Sequence, residues 1–94
     1  MKILALEKET PGVKPELFLE HLKPEAKKIW ELYQEGIIRE FYFREDLTEA
    51  VLILEATGAE EANRVLGSLP LVRAGLITFE VIFHESLQII FYLL

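Results

Sequence analysis

The chain has 94 residues, 51% of them hydrophobic, with 16 acidic against 10 basic side chains, a formal net charge of −6 and no cysteine. That is enough for one domain, residues 1–94, which alone would remove only about 60–65% of its unfolded surface from water, so a second copy is the natural cover for the apolar surplus. The acidic balance excludes a basic stripe for nucleic acid, and no run approaches the ~18–20 apolar residues of a membrane span.

The opening "MKILALEKE" holds an apolar stretch of only Ile3 to Leu6, too short for a signal-peptide core, so a cytoplasmic protein is expected. "KILALEKE" itself reads as a first strand, closed by the turn residues Thr10, Pro11 and Gly12. From Pro15 to Glu35 the residues Phe18, Leu22, Ala26, Ile29, Trp30 and Tyr33 recur at spacings of three and four. This predicts a long amphipathic helix, kinked or restarted at Pro24 and closed by Gly36 in a left-handed cap.

"IIREFYFR" and "EAVLILEA" have the β-branched and aromatic content of strands, and "EDLT" between them predicts a four-residue hairpin loop with Arg44 opposite Glu49. In that register Ile38, Glu40 and Tyr42 share a face with Val51, Ile53 and Glu55, while Arg39, Phe41, Phe43, Leu52 and Leu54 take the other. "AEEANRVLGSL" predicts a second helix burying Ala59, Ala62, Val65 and Leu66, and "AGLITFEVIFH" a fourth strand.

The order βαββαβ is an α+β, ferredoxin-like arrangement, with helices on one face of a four-stranded antiparallel sheet. "ILAL", "VLIL" and "VIF" are apolar at consecutive positions, so both sheet faces should be covered. The expected cover is the sheet of a second subunit, with the apolar end from Ser86 to Leu94 as an extra C-terminal strand on the partner.

"YQEGIIRE" with its Gly36-x-x-Arg39, "SLPLV" after the second helix, and Glu80-Val81 in the fourth strand resemble the muconolactone isomerase family and its short uncharacterised relatives, within the dimeric α+β barrel superfamily. The resemblance spans roughly Glu20 to Glu85. It implies a proton moved within an unsaturated lactone, no metal or organic cofactor, and assembly into dimers or higher oligomers. The long fourth strand and the ending "QIIFYLL" depart from the family pattern.

A partly shielded carboxylate suits general acid–base work, which makes Glu55 and Glu40 the candidate proton shuttles and Tyr42 a hydrogen-bonding orienter. The competing reading of that face is an ion pair or a hydrated sheet edge. His21 and Glu25 lie one helical turn apart beside the apolar stripe. His21 is a candidate proton carrier at a pocket rim, and Glu25 and Trp30 are candidate substrate contacts, although Trp30 equally suits the core. With His84 the only other histidine and no cysteine, no metal site is expected. No glycine-rich phosphate loop or Gly-x-Ser-x-Gly elbow appears.

The expected geometry places Glu40, Tyr42 and Glu55 beneath the first helix, converging with His21 and Glu25 on one cleft, and leaves Arg39 to the dimer contact. The expected function is a cofactor-independent isomerase or lyase acting on a small unsaturated lactone or organic acid. The alternative is a non-catalytic small-molecule-binding or structural barrel protein.

Overall fold

The computed structural model describes residues 1–45 and 49–83. The expected tail strand from Ser86 to Leu94, His84 and the tip of the hairpin loop lie outside the described residues. Among the described residues four strands, β1 (Lys2–Glu9), β2 (Ile38–Phe43), β3 (Ala50–Glu55) and β4 (Ile77–Phe83), form one sheet in the order β2-β3-β1-β4. Every neighbouring pair is antiparallel, as the ferredoxin-like reading requires. Three helices, α1 (Leu19–Gln34), α2 (Ala59–Gly67) and the short α3 (Pro70–Arg73), join the strands.

The inner face of the sheet follows from strand alternation. Ile3 and Ala5 of β1 and Ala50, Leu52 and Leu54 of β3 are buried in one cluster with Ala62, Val65 and Leu66 of α2. Their even spacing sends them all to the helix side. Ile3, Ile38, Leu52, Leu54, Leu69 and Ile77 are the largest fully buried side chains. Each contributes about 1.5–3 kcal/mol relative to an exposed side chain. Leu4, Leu6, Val51, Ile53 and Ile82 alternate with the core residues and are half-buried on the opposite, open face.

Two glycines close helices as their backbone freedom allows. Gly36 takes φ 78° after α1, where its N–H donates to the Tyr33 carbonyl and that of Ile37 to Leu32. Gly75 takes φ 76° after α3, with Gly75 donating to Val72 and Leu76 to Leu71. Both pairs are Schellman closures, and only glycine enters the left-handed region without a Cβ penalty. They set the chain directions into β2 and β4.

Several expectations change in detail. The helix is not restarted at Pro24; a single 3-10 turn at Pro15–Phe18 leads into α1 instead, with Pro15 where its missing N–H costs nothing. The "SLPLV" turn contains α3, again begun by a proline. Ala59 is exposed, while Ala62, Val65 and Leu66 are buried as expected. The hairpin register holds from its end, where the Arg44 N–H donates to the Glu49 carbonyl, through Glu40 opposite Ile53. It then shifts between Ile38 and Glu40, so that Ile38 sits opposite Leu54 and is buried, not opposite Glu55 on the Glu40 face. An irregularity of one residue at Arg39 is sufficient for that change of side.

Candidate functional site

A cavity of about 400 Å³ opens between α1 and the inner face of the sheet. Its walls include Phe18, Leu22, Ala26 and Ile29 from the helix side and Phe43 and Ala50 from the hairpin. This explains why α1 has an apolar stripe yet buries only Glu25 and Leu32: Leu22 lines the cavity and remains half exposed to it. The size falls within the range of small-molecule pockets, roughly 300–1,000 Å³.

Three carboxylates enter this apolar space, Glu7 and Glu9 from β1 and Glu25 from α1. Glu25 is only 7% exposed, and its Oε1 accepts a 2.9 Å hydrogen bond from the Leu71 N–H of α3. Burial pushes its proton affinity above the ordinary carboxylate range, against the opposing effects of the Leu71 amide and of His21. Glu7 follows Ile3 and Ala5 on the inner side of β1, where burial raises its pKa to about 7. The Ala50 backbone N–H opposes that rise, and the charges of Glu25, Glu49 and Glu9 add to it. At the cavity edge the Glu9 N–H donates to Glu49 Oε2 at 2.8 Å, tying β1 to the start of β3.

The structure divides the residues expected to share one cleft. Glu25 lines the cavity. His21 is half-buried one turn away and is not among the lining residues; its Nε2 lies 3.4 Å from Glu20 Oε1. Glu40, Tyr42 and Glu55 share a face as the register required, but it is the open face, not the one beneath α1. The physical reason is that Leu52 and Leu54, alternating with Ile53 and Glu55, are the residues packed with Ile3 and Ala5 under the helices. Tyr42 is 54% exposed, and its hydroxyl donates to Glu40 Oε1 at 2.7 Å, which raises the phenol's pKa. Glu55 Oε1 accepts from the terminal amine of Met1 at 2.6 Å, and that bond holds its carboxyl below the ordinary value.

Trp30 is neither core nor a wall of the main cavity. It is 55% exposed and stacks on Tyr33 with ring centroids 5.6 Å apart, while Tyr33 meets Phe41 edge-on at 6.1 Å. With Arg39, Glu40 and Tyr42 these rings border a shallow depression at the β2 edge. Arg39 therefore lies among the aromatic side chains at that edge, and its charge also lowers the Glu55 pKa.

Glu7 is the site residue that sequence reasoning missed. The signal was its i+2 spacing from Ile3 and Ala5, which places all three on one strand face. Leu4 and Leu6 make the alternate face equally apolar, so spacing alone did not identify the inner side. Among the described residues, no group of three or more His, Cys, Asp or Glu side chains is arranged to hold a metal ion.

Topology, helix placement and the inner cavity define an α+β protein with a ferredoxin-like fold. The structure is similar to 5-chloro-2-hydroxyhydroquinone dehydrochlorinase from Burkholderia phenoliruptrix AC1100, solved in complex with 2,5-dihydroxybenzoquinone. The TM-score is 0.72 at 20% sequence identity, with 88% of this chain and 92% of that one covered. At that identity the likeness establishes the fold. No family model matches the sequence, and no curated protein matches it. No described helix is long and apolar enough to cross a membrane.

Proposed function

We propose that this protein is a muconolactone isomerase-like, cofactor-independent isomerase or lyase, and that Glu7 and Glu25 handle the proton it moves within a small unsaturated lactone or related organic compound. The observation that carries this reading is the convergence of both carboxylates on one apolar cavity, with Glu25 anchored by the Leu71 amide. A structural neighbour that is a dehydrochlorinase, in complex with a small quinone, supports a small-molecule role for the fold.

The chemistry requires a base, an acid and exclusion of water. Ionised Glu7 takes a proton from the carbon beside the substrate carbonyl, and the C–H electron pair passes into the conjugated system as an enolate. A protonated carboxyl of the pair then returns one proton to the far carbon of that system, so protons and electrons balance. A pKa of about 7 for Glu7 supplies both protonation states near neutral pH, which favours a shuttle. Glu25, held at one oxygen by Leu71, is the more rigid partner and suits the orienting or donating role.

The proposal includes a cytoplasmic homodimer or a multiple of one. Leu4, Leu6, Val51, Ile53 and Ile82 supply an apolar centre on the open face for sheet-to-sheet contact. Around it, Lys8 pairs with Glu80 at 3.5 Å, leaving a charged border of mixed sign.

Solvent deuterium incorporation into unsaturated five-membered lactones, followed by NMR, tests the reaction. The wild type should exchange the proton beside the carbonyl, and Glu7→Gln and Glu25→Gln should each slow exchange on the order of 100-fold or more. Glu40→Gln and Glu55→Gln should leave it unchanged. Wild-type exchange untouched by the Glu7 and Glu25 changes would refute the assignment; binding without exchange would favour a non-catalytic small-molecule-binding barrel.

A further inference from the structure

We infer that the inner cavity selects an uncharged, hydroxyl-bearing ring compound and discriminates against carboxylates. The inference rests on the proposed use of this cavity and narrows its substrate class.

Among the described residues, the polar side chains lining the cavity are Glu7, Glu9 and Glu25, and every other lining residue is apolar. No lysine, arginine or histidine is among them. His21, one turn from Glu25, and Arg44, next to Phe43, are not lining residues either. Residues 46–48 and 84–94, outside the described part, contain no lysine or arginine and one histidine, His84. Among the described lining residues an entering carboxylate would therefore meet carboxylates and no matching cation, in surroundings where like charges repel more strongly than in water.

The same side chains welcome a hydroxyl group. An ionised carboxylate only accepts hydrogen bonds, and a protonated one also donates. A ring O–H can donate to one member of the Glu7 and Glu25 pair and accept from the other. Phe18, Leu22 and Phe43 provide the apolar surface for the ring itself. An ammonium group would find acceptors among these carboxylates, but the apolar walls would strip its hydration, a cost that a neutral ring hydroxyl avoids.

Glu9 on β1, Glu25 on α1 and Glu49 before β3 are the charged groups acting on Glu7. All are acidic, so discrimination against anions should weaken as falling pH protonates the pair.

The test uses the full chain with hydroquinone and 2,5-dihydroxybenzoate, which differ by one carboxylate, and with benzylamine as the cationic probe. NMR titration of the Phe18 and Leu22 side-chain signals reads binding in the cavity. At about pH 8, hydroquinone should bind at least about tenfold more tightly than 2,5-dihydroxybenzoate. The ratio should shrink at about pH 5.5 as carboxylates are protonated. It should also shrink at the higher pH in Glu7→Gln, a change that keeps the side-chain volume.

Equal or tighter binding of 2,5-dihydroxybenzoate at the higher pH would overturn the inference, as would tighter binding of benzylamine. Failure of all three probes to shift the cavity signals would overturn it too. Deuterium exchange on lactones is measured separately: exchange with no preference between the two dihydroxy compounds rejects this inference alone. Preference without exchange rejects the catalytic reading and leaves the binding selectivity standing.

Discussion

Replacing Glu7 by glutamine should stabilise the protein at alkaline pH and leave it nearly unchanged in acid. The side chain is half-buried on the inner side of β1, where burial and the charges of Glu25, Glu49 and Glu9 raise its pKa from 4.5 to about 7. The folded chain therefore holds this proton more tightly than the unfolded chain. Between 4.5 and 7 the folded state carries more protons, so stability falls as pH rises through that window, and above it the full cost of a buried charge is present. The shift corresponds to roughly 3 kcal/mol, which water at the open cavity mouth screens to about 1–2 kcal/mol. Glutamine has similar shape and no charge, so Glu7→Gln should gain about 1–2 kcal/mol near pH 8 and close to nothing near pH 4. Urea unfolding of both proteins across that range measures the difference. A variant whose stability relative to wild type does not change with pH would refute the reasoning, because a change in packing alone carries no proton linkage.

Three further outcomes follow from packing and backbone geometry. Leu54→Ala, in the fully buried row of β3, should cost about 2–5 kcal/mol in urea unfolding, and a loss under about 1 kcal/mol would contradict its place in the core. Gly36→Ala should cost about 1–2 kcal/mol because φ is 78° there, although the added Cβ would meet nothing closer than Arg39 Nη1 at 4.0 Å. Ile53→Asp, on the open face, should shift sedimentation toward a monomer while circular dichroism keeps the same secondary structure; an unchanged assembly size would reject sheet-to-sheet contact.

The elements were readable because their periods differ. "KILALEKE" is a short apolar run with alternation only at its end and forms the eight residues of β1, α1 repeats at three and four, and Gly36 marks the closure of the helix. Burial direction was harder to read. Val51 and Ile53 are as apolar as Leu52 and Leu54, so the pattern supports two faces and only tertiary packing distinguishes them. That ambiguity assigned Glu40, Tyr42 and Glu55 to the cleft and passed over Glu7. Glu25 was found because its helix position depends on a period with one apolar stripe. Trp30 and Tyr33 have helical spacing, yet they lie beside the β2 edge, beyond the part of α1 that faces the cavity. The displacement of Ile38 into the core arises from one irregular residue at Arg39, for which no turn residue provides a signal.

The most direct test of the central claim is a carbon-13 NMR titration of the glutamate carboxyl groups in the folded wild type, with Glu7→Gln and Glu25→Gln used for assignment. The account predicts that Glu7 titrates at about 7 and that Glu25 also titrates above the ordinary carboxylate value, while Glu55 titrates below it. Glu7 and Glu25 both titrating at the ordinary value of 4.5 would contradict the claim that they form a shielded acid–base pair.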